Sequence, residues 1–422
     1  MKKSVWGFLI VIVFFSLAGC GSNNNTEENN DKKIQLSFWN FWSKGGGEEK
    51  FFNDRIKDFE TLHTNVEITQ TNVPVDEYMG TKLATAFTSG TGPDIFVASP
   101  GTISTFINAG IPYPMEKYFP KEVLADYSKA SIDSVTDEKG HILAVPTEQD
   151  LVALFYDKNL LDNANITPPK TWDELILAAK KLTTPERAGI TFEMTKGAFQ
   201  NFCLMPFIWQ QDSNYIVDGR ANLNSPEVIK ALTFWRSFIE DGSANVKPSR
   251  GAGDVGILGD DETALWIGGT VGIRVLNEEY KDRNIGVIPL PKPSLDAKDV
   301  TVAGGWNFVV NSKGKHPDEA AEFVKYMFLD EDGVSSTKWN TEAKFSYSPR
   351  RSIIDGSPES YQQNLAKDVT DKIYGTQIPE LTLSPEESNI IGDMIQNALF
   401  ATSPTKAAEE AQKKLEAALA KE

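Results

Sequence analysis

Glu148-Gln149-Asp150 sets two carboxylates two positions apart, directly after Ala144-Val145-Pro146-Thr147. An ionised carboxylate accepts strong hydrogen bonds from hydroxyl donors. Glu148 and Asp150 therefore suit a guest rich in OH groups. A glycosidase uses the same residue types differently, with two acids about 5–9.5 Å apart across the scissile bond. An i, i+2 pair on a strand shares one face and does not straddle a bond. No Gly-x-Ser-x-Gly elbow occurs either. The chain reads as a binder and not as an enzyme.

Sugars present flat C–H faces beside their hydroxyl edges, and aromatic rings cover such faces with few rotors to freeze. Nine tryptophans are available. Trp39-Asn40-Phe41-Trp42 ends a predicted strand, and ligands of open α/β sheets lie beyond strand carboxyl ends. Trp39, Asn40 and Trp42 are candidates on that ground. Ser99-Pro100-Gly101-Thr102 is a similar strand-end loop, where Ser99 and Thr102 are either hydroxyl partners or helix caps. Trp209, Trp266, Trp306 and Asn307 complete the candidate set. Trp172 and Trp235 fall on apolar helix faces and read as core.

Other chemistries fit poorly. His63, His141 and His316 lack metal-ligand spacing, so neither a metal nor a cofactor is expected. The Gly45-Gly46-Gly47 run lacks the Lys-Ser ending of a phosphate-binding loop. The formal charge is −17, with no basic patch, which argues against nucleic acid.

Alternating elements must position these groups. Lys33–Trp39 and Val66–Val73 pattern as strands, and Pro93–Val97 as a short buried one. Between them, Glu48–Leu62 and Asp76–Thr88 carry helical spacing. The β-α-β-α-β order implies a parallel sheet with crossover helices. The pattern recurs with an apolar strand at Ala153–Tyr156, a helix capped by Thr171 and another opened by Ser225-Pro226. Further strands are predicted over Ile285–Pro289 and Val300–Asn311, and helices over Pro317–Phe328 and Thr405–Ala420. Ala144–Thr147 and the proline-rich Pro289–Asp299 read as crossings between two lobes.

The chain opens with Lys2-Lys3, then an apolar run from Val5 to Phe15 that ends in Leu17-Ala18-Gly19-Cys20. This reads as a secretory signal, too short for a span of about 20 apolar residues. The tetrapeptide resembles the lipobox of bacterial lipoproteins, which implies cleavage before Cys20 and acylation of it. The polar stretch that follows, up to Lys33, reads as a disordered tether. With Cys20 lipidated, Cys203 has no disulfide partner and reads as a small core residue.

Several segments together resemble the maltose-binding-protein-like receptors of ABC importers. They are Gly92-Pro93-Asp94-Ile95, Ala144-Val145-Pro146 with Leu154–Leu161, Pro169–Leu175, Gly286–Pro291, Ala303-Gly304-Gly305-Trp306 and His316–Phe323. They occur in that family's order. The resemblance implies an α/β fold of two lobes, with the ligand cleft between them. It places residues 1–19 in a signal peptide, 20–33 in the tether, 34–146 plus 301–350 in one lobe and 147–300 plus 351–422 in the other. It further implies a monomer, lipid-anchored on the extracytoplasmic face of the cell membrane. Such a monomer captures a sugar, expected to be an oligosaccharide because nine tryptophans favour stacking on more than one ring, and hands it to the importer's transmembrane subunits. A glycerol phosphate, a peptide or iron are the alternative solutes. A phosphate would want clustered arginines, and only Arg350-Arg351 are adjacent. Iron-binding relatives present neighbouring tyrosines, which are not found in this sequence.

Overall fold

A computed structural model describes residues 33–42 and 44–421. The signal, Cys20 and most of the predicted tether lie outside the described residues.

Two sheets organise the chain. The first has the strand order β2-β1-β3-β12-β4. Its strands are β1 (Ile34–Asn40), β2 (Val66–Asn72), β3 (Ile95–Ala98), β4 (Val145–Pro146) and β12 (Asn307–Val310). β1 runs parallel to β2 and β3, while β12 is antiparallel to β3 and β4. The second sheet has the order β10-β5-β9-β6. It comprises β5 (Val152–Asp157), β6 (Ala188–Thr191), β9 (Thr263–Gly269) and β10 (Ile285–Ile288). A short hairpin, β7 (Ile216–Val217) and β8 (Arg220–Ala221), and a parallel pair, β11 (Thr301–Ala303) and β13 (Gln377–Pro379), complete the strands.

Each sheet builds its own core. Leu36, Phe38, Phe52, Ile95 to Ala98 and Phe308 pack with Trp339 in the first lobe. In the second, β5 shows why an unbroken apolar strand is needed. Val152 and Leu154 enter the core on one face of the sheet, and Leu151, Ala153 and Phe155 the core on the other. Successive side chains point to opposite faces, so burial on both requires Val-Ala-Leu-Phe rather than alternation. The helices Pro385–Gln396 and Pro404–Leu419 cover this lobe through Ile391, Ala408, Ala411 and Leu415.

Local signals explain most elements. Thr171 and Glu174 close a reciprocal capping box at the start of the helix Trp172–Leu182. Trp172 and Trp235 are core, as their helix faces predict, and so is Cys203. Two expectations are corrected. The helix predicted over Asp76–Thr88 is interrupted by a π turn at Tyr78–Lys82. There the Tyr78 hydroxyl reaches across to β3, donating to Val97 O and accepting from Val97 N, both at 2.9 Å. The strand predicted over Val300–Asn311 is two strands in different sheets, parted at Gly304-Gly305-Trp306.

That break also moves a crossing. Pro289–Asp299 does not link the lobes: Leu290 packs in the second core, and Lys292 bridges to Thr171 of the same lobe. The chain passes between lobes at Thr147–Asp150, at Gly304–Trp306 and at Lys344, since Ala343 belongs to the first core and Phe345 to the second.

Candidate ligand-binding site

The three crossings meet beneath one cavity of about 290 Å³. Glu148 and Asp150 reach it from the first crossing, Gly304, Gly305 and Trp306 from the second, and Lys344 and Ser346 from the third. Met79 and Ser99 line it from the first lobe, and Phe199, Phe202, Val271 and Glu380 from the second. A larger hollow, about 560 Å³, lies on the first lobe alone between Arg55, Glu322 and Lys325. Lobe closure cannot enclose a guest there. A further hollow of about 540 Å³ also lies between the lobes, lined by Tyr127, Arg351 and Tyr374. The smaller cavity is the candidate site because Glu148, Asp150 and Trp306 line it.

Close backbone contact holds the floor in place. Gly304 N donates to Asp150 O at 2.9 Å, and Thr147 N to Trp306 O at 3.2 Å. Gly305 adopts φ +118°, and a Cβ there would stand 2.2 Å from Glu148 O. Only glycine meets both demands. Trp306 follows directly, half-buried against Phe41 with ring centroids 4.5 Å apart. Facing groups supply apolar surface: Phe199 is 39 % exposed, Val271 42 % and Met79 40 %. Phe202 stacks behind Phe199 at 5.8 Å. Rings and methyls on opposite lobes offer two flat walls.

The polar groups are mostly acidic. Lys344 Nζ donates to Glu148 Oε1 at 2.7 Å, while Glu148 Oε2 has no partner. Thr270 Oγ1 and Val271 N donate to Asp150 Oδ1 at 3.1 and 3.0 Å. Gly101 N donates across the lobes to Glu380 Oε2 at 3.1 Å. Burial raises all three carboxyls above their usual range. Lys344 offsets this in part at Glu148, and the Val271 amide does so at Asp150.

Glu380 is pushed from 4.5 up to about 7 by burial. A carboxyl whose folded value is raised binds its proton more tightly when folded, so stability falls as pH rises between the two values. The contribution is intact below about 4.5 and gone above about 7. The melting temperature of the wild type should therefore fall more from pH 5 to pH 8 than that of Glu380→Gln. Parallel curves would show that Glu380 is not the titrating group.

The remaining candidates sit elsewhere. Asn40 ties off the end of β1, its Oδ1 accepting from Trp42 N and Asn72 Nδ2 at 3.2 and 3.1 Å. Trp42 is buried in the first core and Trp39 packs against it. Thr102 turns toward Ser99, with hydroxyls 3.1 Å apart. Asn307 is buried within β12, its amide nitrogen unpartnered. Trp209 and Trp266 are 6 % and 1 % exposed in the second lobe's cores. The indole of Trp266 donates to Ala252 O at 2.8 Å. The structure thus gathers Ser99, Glu148, Asp150 and Trp306 around one cavity and sends the others into supporting structure. Phe199, Phe202, Lys344 and Glu380 were missed. Only the i, i+3 pair Phe199/Phe202 after Gly197 left a local signal.

Residues 45–334 match the family model for bacterial extracellular solute-binding proteins. The chain belongs to that family. Among its relatives, the maltotriose-binding protein of Pyrococcus abyssi is 26% identical over 74% of this chain and 66% of its own length. The arabinooligosaccharide-binding protein of Bacillus subtilis is 24% identical over 86% of this chain and 84% of its own. An ABC-transporter solute-binding protein from Thermotoga lettingae, solved with α-D-tagatose, superposes with a TM-score of 0.79 at 24% identity. It covers 92% of this chain and all of that one. The mixed α/β, two-lobe architecture of this solute-binding protein is that of its structural neighbours. Among the described residues, no helix is long and apolar enough to cross a membrane.

Proposed function

We propose that this receptor captures a sugar, specifically an oligosaccharide, in the inter-lobe cavity and delivers it to the transmembrane subunits of an ABC importer. One observation carries the reading: the cavity sets Trp306, on a crossing, and Phe199, on the second lobe, beside the carboxyl groups of Glu148, Asp150 and Glu380. That is the pairing of flat faces and hydroxyl partners a sugar needs. The names of the maltotriose- and arabinooligosaccharide-binding relatives agree with it. A phosphate-bearing solute fits less well, because among the described residues Lys344 is the cavity's one lining cation and Glu148 already holds it.

Hinge motion follows from the crossings, which are short and few while each lobe has its own core. On those cores, the first lobe takes residues 34–146 and 307–343, and the second 151–303 and 345–421. Each chain completes its own cavity, so a monomer suffices. The reaction is binding and release, with no bond made or broken.

A thermal-shift screen of α-glucan, arabinan and other oligosaccharides tests the reading. A true ligand at a hundred times its Kd should stabilise the protein by about 2.7 kcal/mol. If peptides or glycerol phosphates shift the melt and no saccharide does, the sugar assignment is wrong.

Anchoring belongs to the same proposal: Cys20 carries the lipid that holds the receptor on the outer face of the membrane. Each buried CH₂ adds about 0.8 kcal/mol, so multiple chains hold firmly. Cys20→Ala should move the protein from the membrane fraction to the medium. Retention of that variant on membranes would contradict the anchor.

A further inference from the structure

The polar groups of the cavity are unbalanced. Among the described residues, Glu148, Asp150 and Glu380 line it against one cation, Lys344. Each carboxylate commits one oxygen to the protein: Glu148 Oε1 to Lys344, Asp150 Oδ1 to Thr270 and Val271, and Glu380 Oε2 to Gly101. Glu148 is 4 % exposed, and its Oε2 receives no hydrogen bond at all. A buried acceptor that strongly polar is rarely left without a donor. Nearby charges deepen the imbalance. Asp150 and, more weakly, Glu48 add to the negative field at Glu148. Arg274 is turned away, bonded to Glu278 and Ala343 O.

A hydroxyl brings one hydrogen and no charge, whereas an ammonium brings three N–H donors and a positive charge. In a desolvated cavity the second meets a negative field far better. A bare metal ion does not fit, since among the described residues no three His, Cys, Asp or Glu stand close enough to hold one. The Trp306 and Phe199 faces require an organic body, and aromatic faces also attract cations.

Resting on the sugar reading above, we infer that the guest is an amine-bearing saccharide whose ammonium group lies against Glu148 and Asp150. Its ring skeleton stacks on Trp306 and Phe199, and the free acceptor of Glu148 takes one of its N–H bonds.

Calorimetry on the full chain with matched saccharides tests this. The probes are glucose, cellobiose and cellotriose, their glucosamine counterparts and their N-acetylglucosamine counterparts, with maltotriose and arabinotriose as further neutral controls. The amine-bearing series should bind at least about tenfold more tightly than its hydroxyl match at pH 7, a gain of about 1.4 kcal/mol. Asp150→Asn, which keeps the oxygen that Thr270 and Val271 donate to, should erase most of that ratio. Neutral saccharides that bind as tightly as the amines would overturn this inference and leave the sugar reading standing. An amine preference that survives Asp150→Asn and Glu148→Gln alike would overturn the placement of the ammonium. Silence from every saccharide, charged and neutral, would overturn this inference and the sugar reading together.

Discussion

Trp306→Ala is expected to weaken saccharide binding by about 2–4 kcal/mol, at least about thirtyfold, as aromatic hot spots do. Trp306 lies on a crossing rather than inside either sheet, and its backbone is pinned by Thr147, whose N and Oγ1 both donate to Trp306 O. The backbone is therefore held at the crossing, and the indole is seated at the cavity's edge by Phe41 of the first lobe. It is only half-buried against the first core, so truncation removes ligand contact more than packing. Trp306→Phe keeps a flat face and should retain most of the affinity. Isothermal titration separates the two. Equal affinity for the wild type and the alanine variant would take Trp306 out of the site.

The second large effect is on stability. Lys344→Ala removes the partner of Glu148, whose side chain is 1 % exposed. Breaking a buried ion pair from one side costs about 3–5 kcal/mol, because the remaining charge has no compensation. The sign with pH follows from the direction of the carboxyl shift. Burial already raises Glu148, and loss of Lys344 raises it further. A raised folded value means the variant binds an extra proton, so its stability falls as pH rises above the ordinary carboxylate range. Denaturant melts at pH 5 and pH 8 should show the larger deficit at pH 8. Glu148→Gln in the same background should restore much of the loss. A deficit that ignores pH would point to the lost cation–π contacts of the Lys344 ammonium with Trp42 and Trp339 instead.

Periodicity made most of the scaffold legible. Phe51, Phe52, Ile56 and Phe59 recur at helical spacing and all face the first core. Thr171 and Ser225 announce their helices by capping chemistry that acts within four residues. What local pattern cannot report is a change of sheet in mid-run. Val300–Asn311 keeps strand-forming residues on both sides of Gly304-Gly305, yet β11 and β12 belong to different lobes. The close approach of Gly305 to Glu148 decides the break, and that contact spans a separation of 157 positions in the chain.

The same limit applies at the cavity. Glu148 and Asp150 sit beside a proline-marked crossing, and Trp306 follows two glycines, so each has a local mark. Lys344 and Glu380 have none: they matter only because the chain returns to the crossings at Ala343–Phe345 and again near β13. Tryptophans carry an ambiguous signal, since an indole suits a sugar face and a core equally. Trp266 shows why. It ends in the second lobe's core because its N–H finds Ala252 O there, a partner that sequence spacing does not reveal.

A crystal structure of the receptor grown with the tightest saccharide from the screen tests the central claim most directly. A sugar ring against Trp306 and Phe199, with donors on the free oxygens of Glu148, Asp150 and Glu380 and the lobes closed over it, is the predicted result. A guest bound on one lobe alone, or one that leaves those carboxylate oxygens without donors, would contradict the account.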